Sequence, residues 1–196
     1  FDEVGRRASV AGMAIDAYAG LYTKVGNAAK DYISTQDDLL GITDTIAKAL
    51  VVGGASAQEA SAVMQQFSQA LASGVLQGDE FRSMAEAAPQ YLDQLALAMG
   101  KPREQLKKMA SDGQLTAREV IEATRKMSAY FDDNFRKMPM TVSRATTAIS
   151  NSYSMMIDRM NRESMFISEL AGLIVSAFDK IEWGVNNLAE SLGGWD

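Results

Sequence analysis

The 196-residue chain contains no cysteine and no histidine, and only three prolines. Without cysteine there can be no disulfide, thiol nucleophile or thiolate metal site. Without histidine, the commonest general base and zinc ligand are missing, and with them every histidine-containing triad. Most hydrolase mechanisms are thereby closed. Few prolines, with frequent alanine, leucine, methionine and glutamine, leave little to interrupt helices, and this predicts an all-α fold. Long hydrophobic runs are missing too. "LAGLIVSAF" at 170–178 falls well short of the roughly 20 residues a membrane-spanning helix needs. The chain opens "FDEVGRR", without an initiator methionine or an apolar leader, which points to a fragment or processed chain.

What is present is a chain able to bury a core, with 47% hydrophobic and 22% charged residues. The net charge of −6 is unevenly spread. Residues 101–138 carry 9 basic and 6 acidic groups, whereas residues 1–100 carry 6 and 12. That surplus describes a mildly polarised surface rather than the dense basic stripe of a nucleic-acid binder.

Helical periodicity organises the chain. Val4, Ala8, Ala11, Ile15, Tyr18, Tyr22, Val25, Ala29 and Tyr32 step by threes and fours, predicting one long amphipathic helix over 1–34. A compact domain of short capped helices is expected over 35–138. Thr35 offers an N-cap to "QDDLLGITDTIAKALVV", which closes at Gly53-Gly54. Capping boxes are expected at Ser56/Glu59 and Thr116/Glu119. In "ASGVLQGDEFRSMAEAAPQ", Gly74 is predicted to end one helix with a left-handed residue. After Gly78, Asp79 is expected to cap the next helix, Phe81 to be buried, and Pro89 to start another. Pro139 marks a boundary. From it, 139–196 is predicted to form a long amphipathic helix or helix pair. Its stripe includes Ile149, Tyr153, Met156, Met160, Ile167, Leu170, Ile174 and Ile181. This stripe is a candidate self-association face with coiled-coil spacing, or else the inner face of a hairpin folded back on residues 4–33. Six of the twelve methionines lie between Met138 and Met165, at spacings that suit core filling as well as an adaptable partner face.

Three readings invoke chemistry. Glu86 could serve as the lone acid of a peptidoglycan-cleaving transglycosylase, but only inside a dry cleft that raises its pKa. A solvated helix glutamate is the plainer reading. The two glycines of "SGVLQG" lack the patterns that cradle phosphate. Residues 101–127 have the outline of a DNA-binding helix-turn-helix, with Lys107, Lys108 and Arg118 as candidate phosphate contacts. Glu119 and Glu122 stand near the start of its second helix, where phosphates would have to come. No metal-ligating set and no cofactor motif is found.

The segments "GASAQEAS" at 54–61, "QALASGVLQGDEFRSM" at 69–84, "AAPQ" at 87–90, "REQLKKMASDGQLT" at 103–116 and "EVIEA" at 119–123 have a family likeness in order and spacing. The chain resembles the N-terminal domain of tail tape measure proteins of long-tailed bacteriophages and prophages, over roughly residues 35–140. The resemblance implies a non-enzymatic structural role: setting tail length during assembly and assisting DNA ejection. It implies a location in the virion tail lumen after synthesis in the host cytoplasm. Expected partners are the tail tube protein, tail assembly chaperones, tail-tip initiator proteins and other copies of the chain. Some members carry peptidoglycan hydrolase domains, but the resemblance assigns no catalytic residue to these positions.

Overall fold

The computed structural model describes residues 2–30, 33, 35–162 and 176. Among these the chain is all-α. Ten helices run α1 (Asp2–Ala11), α2 (Ile15–Ala29), α3 (Gln36–Val52), α4 (Ala57–Ser73), α5 (Gly78–Ala87), α6 (Pro89–Met99), α7 (Arg103–Ser111), α8 (Ala117–Lys126), α9 (Ser128–Lys137) and α10 (Val142–Arg162). One compact unit spans Phe1–Ser152 and a second spans Tyr153–Asp196, of which the end of α10 and Ser176 are described.

The expected single helix over 1–34 is two helices. Gly12 takes φ +73° and closes α1, with the Gly12 N–H donating to Ser9 O at 3.1 Å and the Met13 N–H to Ala8 O at 2.9 Å. These paired bonds satisfy carbonyls that a helix end would otherwise leave open. The three-four stripe gave no warning because it continues across the bend. Ala8, Ala11, Ile15, Tyr18, Val25 and Ala29 of that stripe are buried, on two helices instead of one, whereas Val4 and Tyr22 are half-buried and Leu21 takes the inward place expected of Tyr22.

Helix α3 lies at the centre, touching α1, α2, α4, α6, α8 and α9. This explains why its buried set, from Leu40 through Ile42, Ile46, Ala47 and Leu50, wraps round the helix. Helix α2 packs along α4. An aromatic chain fills the middle of the core. Phe67 of α4 meets Tyr91 of α6 edge-on at 5.7 Å, and Tyr91 lies 6.3 Å from Phe131 of α9. The Tyr91 hydroxyl is buried 2.5 Å from Thr124 Oγ1, whose own proton goes to Val120 O at 2.7 Å. Tyr91 is therefore the donor in that pair. Burial pushes its phenol pKa up, so the hydroxyl keeps its proton.

Candidate functional site

The helix ends follow local chemistry. Thr35 Oγ1 accepts from the Asp38 N–H at 3.2 Å. Ser56 Oγ accepts from the Glu59 N–H at 3.3 Å, and Glu59 Oε2 accepts from the Ser56 N–H at 2.9 Å. Thr116 and Glu119 exchange the same pair of bonds at 3.1 and 3.2 Å.

Gly74 has φ +92° and ends α4, Phe81 is buried, and Pro89 is the first residue of α6. Asp79 does not cap α5. The cap position is Gln77, which makes no side-chain cap bond, and α5 begins at Gly78, so Asp79 falls in the first turn and pairs with Arg82 at 3.0 Å. Its charge still suits the positive end of the helix dipole.

The glycine-containing corner has a tertiary purpose. Val75 forms an antiparallel bridge with Thr116. The Leu76 N–H donates to Leu115 O and the Ala117 N–H to Gly74 O, each at 2.8 Å. The α4–α5 corner is thus stitched to the α7–α8 turn, and Leu76 and Leu115 are both fully buried. The corner braces the core.

Glu86 sits in a cleft of about 300 Å³ lined by Gly53, Gly54, Ala55, Glu59, Val63, Ser83 and Ala87. Its side chain is exposed, so the dry environment that a general acid requires is missing. The second carboxylate of the cleft, Glu59, is held below the usual range by the Ser56 N–H and hydroxyl. That shift runs opposite to the one a proton donor needs.

Residues 101–127 form two helices joined by a turn, but α8 turns Ala117, Val120, Ile121, Ala123 and Thr124 into the core. The arginines around it are engaged with carboxylates. Arg118 pairs with Glu122 at 2.9 Å, Arg103 with Asp93 at 2.8 Å and Arg125 with Asp38 at 2.5 Å. Lys107 and Lys108 are exposed. The outward face interleaves Glu119 and Glu122 with its cations, which weakens its attraction for phosphate.

Of the candidate self-association face, Ile149 is 71% exposed, Tyr153 62% and Met156 50%, with Met160 half-buried. Ile167, Leu170, Ile174 and Ile181 lie outside the described residues.

One polar cluster escaped sequence reasoning. Asp44 of α3 accepts from Arg7 Nη1 of α1 at 2.7 Å and from the Tyr18 hydroxyl of α2. Lys48, one turn on, donates to Asp132 of α9 at 2.6 Å. Four helices therefore converge on one part-buried charge network. Burial, then the charge of Asp44, pushes the Tyr18 phenol pKa up, so it stays a donor. Arg6 and Arg7 together hold the Glu3 carboxyl down to about 2. A signal existed: Asp44 and Lys48 stand four apart among the apolar positions of the middle of α3, and Tyr18 on a core stripe needs an acceptor. Their partners, 26 to 84 residues away, could not be read from spacing.

Among the described residues no group of acidic side chains is arranged to hold a metal ion, and no helix is long and apolar enough to cross a membrane. A family model described as "Tape measure protein" matches residues 1–162. No curated protein and no solved structure matches the chain.

Proposed function

The chain belongs to the tape measure protein family and is a structural phage-tail component; on that premise we propose that the parent protein sets tail length during assembly and assists DNA ejection. The observation that carries this reading is the reach of the family match, which covers the whole of the Phe1–Ser152 unit and continues along α10. On this reading the protein occupies the tail lumen. Its partners there are the tail tube protein, the tail-tip initiator proteins and other copies of the chain, with assembly chaperones holding it before packing. Residues 1–196 perform no catalysis on this reading.

The ruler itself must lie in extended helix, which gains about 1.5 Å per residue. The Phe1–Ser152 unit, folded back at every capped turn, is not that ruler. Its role is to be a folded attachment point, with the α10 stripe as the surface that meets other copies. Ile149, Tyr153 and Met156 support this role because they stand exposed on one helical stripe.

In-frame deletions in the parent gene, placed outside the segment encoding residues 1–162, test the length-setting role. Tails measured by negative-stain electron microscopy should shorten by about 1.5 Å for each residue removed. Tails of unchanged length would refute it.

A further inference from the structure

Along residues 144–152 helix α10 turns a polar side chain, Asn151, to the protein. Among the described side chains of Val142–Ser152, the only buried one is Asn151, while Ile149 points into solvent. An ordinary surface helix shows the opposite arrangement, with its apolar stripe turned to the core. Apolar burial among these described side chains is limited to the half-buried Ala145 and Ala148.

Two polar side chains of the segment, Asn151 and Arg144, reach the elbow between α1 and α2. Asn151 Nδ2 donates to Met13 O at 2.7 Å, across 138 residues of sequence. Met13 precedes the first turn of α2 and its side chain is fully buried, so Asn151 supplies a partner to a carbonyl at the core's edge. Arg144, two turns earlier, lays its stem against Gly12 so closely that a Cβ there would lie 2.9 Å from Arg144 Cγ. Its guanidinium covers the Phe135 ring at 4.3 Å from the centroid, and Nη1 reaches Pro139 O at 3.3 Å. The fit is incomplete. Arg144 Nε is buried without a partner, and a cleft of about 270 Å³ bordered by Met13, Ala60, Met138 and Arg144 lies beside the clasp.

We propose that this clasp is a conformational lock: Asn151 and Arg144 hold residues 142–152 on the α1–α2 elbow, and breaking it frees that segment while α2 to α9 stay folded. The elbow is suited to the task because its shape depends on Gly12 at φ +73°, so the site that α10 grips is the joint on which α1 is set. Displacing α1 would disturb the clasp, and releasing α10 would leave the Met13 carbonyl open to water. The lock does not depend on how the protein functions in the tail.

Amide hydrogen exchange read by mass spectrometry on the full 196-residue chain tests this. In Asn151→Ala, and separately in Arg144→Met, the amides of residues 146–152 should exchange about tenfold faster than in wild type. Those of α3 and α4 should keep their wild-type rates. Two results would overturn the proposal. Unchanged exchange at 146–152 in both variants would mean that the clasp holds nothing. Acceleration in all helices together would make Asn151 and Arg144 parts of the global core.

Discussion

Replacing Gly53 with alanine should be among the most damaging one-methyl changes in this protein, although the backbone there is ordinary. Gly53 has φ −66° and ψ −13°, values that alanine adopts freely. On propensity alone, Gly53→Ala should stabilise by about 0.4–1 kcal/mol through the unfolded chain. The structure reverses that sign. A Cβ at position 53 would stand 2.3 Å from Ala87 O and 2.8 Å from Ala88 Cα. Both obstacles are backbone, at the elbow where α5 ends and Pro89 starts α6, so neither can swing aside. Relief requires moving the α5–α6 elbow away from α3 by close to an ångström. Overpacking of this kind costs about 1–3 kcal/mol, and a backbone obstacle belongs at the upper end, so a net loss of about 2–3 kcal/mol is expected. For a domain of this size each kcal/mol lowers the Tm by about 2–4 °C. Gly54 is the control. It has φ +88° with open space where a Cβ would go, so Gly54→Ala should lose only the roughly 1–2 kcal/mol of a left-handed alanine. Urea titrations followed by far-UV circular dichroism would rank the two variants. If Gly53→Ala matches or exceeds wild-type stability, or Gly54→Ala is the worse of the two, the close-approach argument is wrong.

The other expectations follow from single contacts. Asp44→Asn keeps an acceptor for Tyr18 but removes the charge facing Arg7 at 2.7 Å and near Lys48, so the urea midpoint should fall by the equivalent of about 2 kcal/mol. That figure is discounted because Asp44 and Arg7 keep 15% and 25% of their side-chain surface in water. Tyr91→Phe retains the edge-on contact with Phe67 and loses only the hydroxyl, for a cost of about 1 kcal/mol in calorimetry. A loss above about 3 kcal/mol there would show that the ring itself had moved. Ile149→Glu combined with Tyr153→Glu should abolish self-association in light scattering at unchanged stability, within about 0.5 kcal/mol, since both side chains are exposed. A wild-type chain that is monomeric at high concentration, or a double variant that still associates, would remove the stripe from the assembly reading.

The all-α class, the capped ends of α3, α4 and α8 and the left-handed Gly74 were legible in the sequence because the forces behind them act within one helical turn. A hydroxyl, a carboxylate three residues on and a glycine past the last apolar position suffice to write a helix end. The same locality explains the errors. The residue that caps α5 depends on where the chain leaves its bridge to Thr116, so a good capping residue at Asp79 came to lie inside the helix instead. The bend at Gly12 was invisible because buried positions keep their spacing when a stripe passes from one helix to the next.

What the tertiary structure alone decided lies between residues far apart along the chain. Asp44 gathers Arg7 and Tyr18 from 37 and 26 positions away, and Asn151 meets Met13 across 138. A Cβ at Gly53 would meet a carbonyl 34 residues later, whereas Gly54 beside it has open space and a positive φ of its own. A sequence states the valence of each group: a donor lacking an acceptor, a charge within an apolar helix, a glycine with no local reason. Which group answers it depends on how the helices of the Phe1–Ser152 unit fill space together, and close packing settles that for all of them at once.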